Sequence, residues 1–293
     1  MRRLTILGAL IALGVATTIG QPVAQGNVAE IEQVKGNLYV IMGGGGNTGA
    51  FVTDGGVVVV DTKNPGWGSA ILDKIKTVTS KPVTMVINTH THGDHVGSNI
   101  DFPAGIEVVA HVNTKTNMER MEAFQTTSGR GYLPGQTYSD KLTLLSGDDS
   151  IDLYHFGAGH TSGDSIVVFR ALRVAHTGDL FAWKGVPYID VDNGGSGVSY
   201  PETLEAAANG ISGVDTVIPG HSPVMTWDDF REFGEFNRDF LSAVRREKAG
   251  GKTAAQAATS LNLPARYANY AMSRGTLTSA EDNATKIYEE LDR

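Results

Sequence analysis

The stretch "INTHTHGDHVGSN", residues 87–99, places His90, His92, Asp94 and His95 within six positions. The chain has eight histidines in all, so three of them gather here beside a carboxylate, directly after an apolar run. Imidazole and carboxylate are the ligands that zinc and similar divalent ions accept where no thiolate is on offer, and the chain has no cysteine. His90 and His92 are two apart at the end of "PVTMVINT", a buried-type strand, so in extended chain they point the same way. Asp94 and His95 follow in a tight turn. One loop can therefore serve two ions, with His90 and His92 on one and Asp94 and His95 on the other.

Three more loops offer ligands in the same setting. His160 in "GAGHTSGD", Asp179 in "HTGDLF" and His221 in "VIPGH" each follow a strand-like run. A strand end followed by a turn is where a rigid scaffold presents functional groups. Two divalent ions roughly 3.5–4 Å apart can hold a shared hydroxide and polarise a carbonyl or phosphoryl oxygen. Water bound to such an ion ionises near neutral pH, so no separate strong base is needed. Asp94 and Asp179 offset part of the metal charge, and the remainder favours an anionic or electron-rich group at the scissile bond. Asp94 is also a candidate catalytic group, orienting the hydroxide or passing a proton to the leaving group.

The elements that must position these residues follow from the pattern. "NLYVIM", "GVVVVDT", 82–89, 106–111, 151–156, 165–170, 172–176 and 215–221 read as strands. Residues 68–80, "NTKTNMERMEAF", "SYPETLEAAANG" and most of the chain from Thr226 onward read as helices. Phe230, Phe233, Phe240 and Val244 lie on one helical face and belong to the core. Residues 125–140 and 183–198 read as loops. Strands open each half and helices close it, which predicts an α/β two-sheet sandwich with helices outside. Trp183, Tyr188 and Tyr200 are candidate substrate contacts. His111, His155 and His176 sit in or at the ends of apolar strands and read as satisfied internal histidines. "GGGG" at 43–46 lacks the lysine and Ser/Thr of a phosphate loop and reads as a hairpin turn or an active-site flap.

Composition bounds the partners. A charge of −8 gives no general attraction to nucleic acid or anionic membranes. The absence of cysteine excludes a disulfide scaffold and a cysteine nucleophile. Arg2 and Arg3, the apolar run 4–16 and small residues up to about Gly26 have the form of a signal peptide. The expectation is residues 1–26 as signal, 27–225 as catalytic domain and 226–293 as a helical extension packed on it. The mature protein is expected in the periplasm or medium, away from the membrane, acting on a small molecule.

"HTHGDH", "GHTSGD", "TGDLF" and "PGH", in this order over residues 28–225, resemble the metallo-β-lactamase superfamily. Asp61, closing "VVVVDT", matches the acidic position that precedes the main motif in that family. The resemblance implies a four-layer αββα sandwich with a site for two divalent metals, usually zinc. It implies His90, His92 and His160 at the first metal, Asp94, His95 and His221 at the second, and Asp179 bridging, with loops 43–49 and 183–200 beside the substrate. A bridging Asp179 departs from the common cysteine-containing antibiotic-hydrolysing pattern, and no basic cluster matches that of a glyoxalase II. The expected activity is a dinuclear-metal hydrolase using a metal-bridging hydroxide on an ester, thioester, lactone or amide. The alternatives are a true β-lactamase and a non-catalytic metal carrier.

Overall fold

The computed structural model describes residues 28–293, so the expected signal peptide lies outside the described residues. The first sheet runs in chain order: β1 (Glu30–Lys35), β2 (Leu38–Met42), β3 (Thr48–Val52), β4 (Val57–Val60), β5 (Val83–Asn88), β6 (Glu107–His111) and β7 (Gln136–Tyr138). Its first four strands are antiparallel, and β4 to β7 are parallel. The second sheet is built from β8 (Lys141–Leu144), β9 (Ile151–Tyr154), β10 (Ile166–Phe169), β11 (Val174–Gly178), β12 (Thr216–Pro219) and β13 (Met225–Thr226), in that spatial order. The helices are α1 (Gly68–Lys76), α2 (Gly93–Val96), α3 (Val112–Met118), α4 (Glu122–Gln125), α5 (Tyr200–Gly210), α6 (Trp227–Ala249), α7 (Ala254–Ser260) and α8 (Ala280–Leu291).

The "VVVV" of β4 shows how the layers form. Successive strand side chains face opposite ways, so Val58 and Val60 enter the core between the sheets while Val57 and Val59 face α1. Between the sheets, Phe51, Ile87 and Val109 of the first meet Leu153, Phe169 and Ile218 of the second. The outer face of the second sheet, through Ile166, Val168, Ala175 and Val217, is covered by α5, α6 and α8. Both sheets are thus buried on both faces, which explains their continuous apolar runs. The result is the expected αββα sandwich. Phe230, Phe233, Phe240 and Val244 lie in this core. Among the described residues no helix is long and apolar enough to cross a membrane.

Strand direction sets the position of the site. β4 and β5 run parallel, so Asp61 and His90 leave the first sheet at one edge. In the second sheet β11 and β12 run parallel, and β9 shares their direction because both β9 and β11 are antiparallel to β10. The loops carrying His160, Asp179 and His221 therefore leave by a common edge.

Candidate metal centre

The seven candidate ligands converge in two groups. Ligand atoms of His90, His92, His160 and Asp179 lie within 4.8 Å of one another, and so do those of Asp94, His95 and His221. In the first group His92 Nδ1 is 3.2 Å from His90 Nε2 and 2.8 Å from His160 Nε2. In the second, His95 Nε2 is 3.2 Å from His221 Nε2, and Asp94 Oδ2 is 3.3 Å from His221 Nε2. Asp179 reaches both: one oxygen is 3.7 Å from His160 Nε2 and 3.3 Å from His221 Nε2, the other 3.2 Å from His95 Nε2.

The outward nitrogens of four histidines are already spoken for. The Thr89 hydroxyl donates to Asp61 at 2.7 Å, so its oxygen accepts from His90 Nδ1 at 3.0 Å. His92 Nε2 donates to Asp190 at 2.6 Å, His95 Nδ1 to Asp61 at 2.8 Å and His160 Nδ1 to the Tyr188 carbonyl at 2.7 Å. In the neutral ring one nitrogen carries the hydrogen and the other a lone pair, so these bonds turn the lone pairs inward. Such outer partners fix ring orientation and tautomer in metal sites. Asp61 supports both groups, His95 directly and His90 through Thr89.

Asp179 tests whether this donor set fits metal ions. Its Oδ1 is buried with no hydrogen bond, although an unsatisfied buried oxygen is expensive. Gly220 has no Cβ because that atom would lie 1.8 Å from this oxygen. The chain thus clears a place for an acceptor-only oxygen whose near polar neighbour is a ligand atom, His95 Nε2 at 3.2 Å. A cation satisfies it, and five imidazoles with two carboxylates, Asp179 itself and Asp94, are the ligands a zinc-like ion takes.

The electrostatics agree. Burial, then the neighbouring His95, push His90 well below the usual imidazole range, and burial with His92 takes His160 down to about 4. Burial opposes charge on His95 and His221, but Asp179 outweighs it, holding His95 well above its ordinary value and His221 at about 9. Burial also opposes charge on Asp179, yet His95 and His221 keep it well below the usual carboxylate range. Without metal, protons on His95 and His221 stand where cations would.

The glycine-rich loop sits under this centre. Gly46 N donates to the Asp94 carbonyl at 3.0 Å, and a Cβ on Gly46 would lie 2.2 Å from the His95 ring. Asn47 donates through its backbone to Gly220 and through its side chain to Pro219 and Ser222, tying the glycine-rich loop to the His221 loop. Lys63 Nζ donates to Ile41 and Gly46 carbonyls; burial, offset in part by Asp61, lowers its pKa to about 7. The 43–46 segment is therefore the expected hairpin turn, joining antiparallel β2 and β3, and it is packed as support for His95.

A cleft of about 450 Å³ opens over the centre. His92, Asp94, Asp179 and His221 lie at its base, and Trp183, Tyr188 and Asp190 in its walls, with Arg274 and Leu277 from beyond α7. Trp183 and Tyr188, two of the candidate substrate contacts, thus line the cleft. Tyr200 does not. It is 1% exposed, and its hydroxyl donates to the Asp179 and Leu180 carbonyls. Pro201 starts a helix there and turns the ring inward, so Tyr200 braces the Asp179 turn from below. His111, His155 and His176 have internal partners: His111 bonds the Ser139 carbonyl, His155 that of Asp164 and His176 that of Asn47. Sequence reasoning missed Asp190, Thr89, Asn47 and Arg274, none of which carries metal-ligand spacing.

A family model described as the metallo-beta-lactamase superfamily matches residues 41–227, spanning every candidate ligand. The chain belongs to that superfamily. Among curated proteins, the 2,4-dinitroanisole O-demethylase subunit alpha of Nocardioides sp. is 31% identical over 153 residues, 50% of this chain and 45% of its own length. A hydroxyacylglutathione hydrolase of Synechocystis sp. is 29% identical over 122 residues, 40% of this chain and 41% of its own. The chain thus matches less than half the length of these relatives. Among solved structures, the DIM-1 metallo-beta-lactamase aligns with TM-score 0.59 at 18% identity, covering 72% of this chain and 97% of that one. A metallo-beta-lactamase from Pontibacter korlensis aligns equally well, covering 99% of that chain. These structures share the fold.

Proposed function

We propose that this superfamily member is a dinuclear hydrolase, with zinc in both sites, acting on esters, thioesters, lactones or amides of small molecules. The observation that carries this reading is Asp179, whose two oxygens reach ligand nitrogens of both histidine groups, 3.2 Å from His95, 3.3 Å from His221 and 3.7 Å from His160. When bound, two such ions supply a water ionised near neutral pH and polarise the scissile carbonyl. The protein's own residues hold and aim the rest. His90, His92 and His160 form the first ligand set, and Asp94, His95 and His221 the second. Asp94 is about one-third exposed at the cleft base, so its carboxylate can orient the attacking water and carry a proton to the leaving group. Asp179 is held ionised and buried, which keeps its negative charge undiluted by solvent.

The hydroxyacylglutathione hydrolases among the relatives support an acyl substrate. The lactamase structures, at their identity, add the fold only, so β-lactam hydrolysis stays second, and a carrier role has no use for the open cleft. The test is zinc-reconstituted protein, analysed for metal and screened on ester, thioester, lactone, amide and β-lactam substrates. Close to two zinc ions per chain with chelator-sensitive acyl hydrolysis is expected. At most one ion after reconstitution would defeat the dinuclear reading, and nitrocefin as the best substrate would reverse the order of the two activities. We also propose export, on the basis of Arg2, Arg3 and the apolar run 4–16; an intact Met1 on cytoplasmic protein would refute it.

A further inference from the structure

The hydrolase reading leaves open what the cleft selects. Three basic residues pack beside its walls, and two are spent. Lys184 pairs with Asp229 at 2.6 Å and Glu232 at 3.1 Å. Lys286 donates to the Ile189 carbonyl at 2.8 Å, with its ammonium over the Tyr188 ring. Arg274 is the third. It lines the cleft, and among the described residues no carboxylate pairs with it, although Asp94, Asp179 and Asp190 line the same space. Those three are committed to histidines and to the metal centre.

Arg274 is also held in place. Its guanidinium lies 4.3 Å from the centroid of the Trp183 ring, and Trp183 faces His221 at 6.2 Å between centroids. Stacking uses the flat face of the guanidinium and leaves its fork of N–H donors free. The hairpin that carries it is pinned at both ends. Ala271 pairs with Gly185, Arg274 N donates to the Thr278 carbonyl at 2.8 Å, and buried Thr278 and Asn283 both donate to the Pro187 carbonyl at 2.9 Å. Beside it Leu277 is half exposed, giving the cleft an apolar wall. This segment lies beyond the residues matched by the family model.

We propose that Arg274 is a specificity-determining residue that binds a carboxylate on the substrate away from the scissile bond. The substrates are then anionic acyl compounds with an apolar arm that rests against Trp183, Tyr188 and Leu277. A planar fork fits a carboxylate bidentately. One guanidinium balances one charge, and the surrounding carboxylates disfavour a dianionic phosphate. The proposal rests on the hydrolase reading of the same cleft.

The test measures binding by calorimetry to the zinc-loaded protein. The probes are 2-benzylsuccinate, with two carboxylates, and 3-phenylpropanoate, with one. Wild type should bind the dicarboxylate at least about tenfold more tightly, the scale of a charge-assisted bidentate contact. Arg274→Gln should bring 2-benzylsuccinate down to the monocarboxylate level and leave 3-phenylpropanoate unchanged. Arg274→Lys, which keeps the charge and loses the fork, should fall between. Equal affinity of wild type for the two probes would overturn the proposal, as would unchanged 2-benzylsuccinate binding by Arg274→Gln with normal zinc content and circular dichroism. If the Arg274 dependence held while no acyl substrate turned over, the anion site would stand and the hydrolase reading would fall. If substrates turned over without that dependence, only the anion site would fall.

Discussion

His92 presents Nδ1 to the first ligand group because its Nε2 is bound to Asp190, 2.6 Å away. The same carboxylate accepts from Asn193 Nδ2 on that oxygen and from the Asp192 and Asn193 amides on the other. Both oxygens of Asp190 therefore face two donors. An amide in its place must turn its NH2 toward one of these pairs, whichever way it flips. Asp190→Asn should keep the fold and weaken first-site metal binding by about 10–100-fold, the usual effect of losing an outer partner of a metal-binding histidine. Competition with a chromogenic chelator measures it. Wild-type affinity in the variant would show that His92 is aimed by something other than Asp190.

The second site should depend on pH in a direction set by His221. Its pKa in the metal-free protein is raised to about 9, and a protonated imidazole cannot ligate. Below about pH 9 an ion must therefore displace that proton, along with the one held on His95, so second-site affinity should climb with pH through about 9. The stability of metal-free protein should move the opposite way. A raised folded-state pKa contributes stability that is complete below the unfolded value of 6.5 and is lost as pH rises through about 9. Metal titrations and melting curves between pH 6 and 10 check both signs. Second-site affinity independent of pH across this range would mean that Asp179 does not hold a proton on His221.

The candidate ligands were legible as a cluster because they are rare residues at strand ends, repeated in one kind of setting. His90, His92, His160 and His221 each announce themselves beside an apolar run. The apolar runs themselves marked the central strands. β3 was hidden in a glycine-rich stretch, and β7 and β8 are too short, with β8 at an exposed edge, for their pattern to stand out. Asp190 was not legible, since an aspartate before a turn has the ordinary reading of a turn residue. Arg274 was less so. Its role comes from a hairpin between α7 and α8 docking on Gly185 and Pro187, a long-range contact that no local spacing encodes. Tyr200 shows the converse: a residue whose type suited a cleft was drawn into the core by the helix that starts at it.

Asp179 carries the proposed mechanism. It is the residue that both ligand groups share, and burial leaves its charge unscreened. Asp179→Asn keeps the shape and removes the charge, placing an NH2 where two ligand sets converge. First-site metal should be retained, second-site occupancy should fall, and activity on the best substrate should drop by at least about a hundredfold, the scale at which buried electrostatic groups act in catalysis. Elemental analysis and kcat/KM measure the two effects separately. Two tightly held metals with wild-type turnover would remove the bridging assignment, and with it the main reason for ranking β-lactam hydrolysis second.

Gly46 tests whether the glycine-rich loop is support for the centre or ordinary connection. Its backbone is not in the left-handed region, so alanine meets no conformational penalty there; the obstacle is the His95 ring, 2.2 Å from the added Cβ. His95 cannot retreat easily, because its Nδ1 is bound to Asp61 and neither side chain has any exposure. Lys63 and Asn47 hold the loop from the other side. The strain must then fall on the His95 ring. Overpacking of this kind costs about 1–3 kcal/mol, and moving the ring spoils the second ligand set before the first. Gly46→Ala should fold with a lowered melting temperature and lose metal from the second site, taking the content from near two toward one per chain. Gly131→Ala, where nothing lies within 4 Å of the new Cβ, should change neither quantity. Full metal content in Gly46→Ala would show that the loop yields to His95 instead of fixing it.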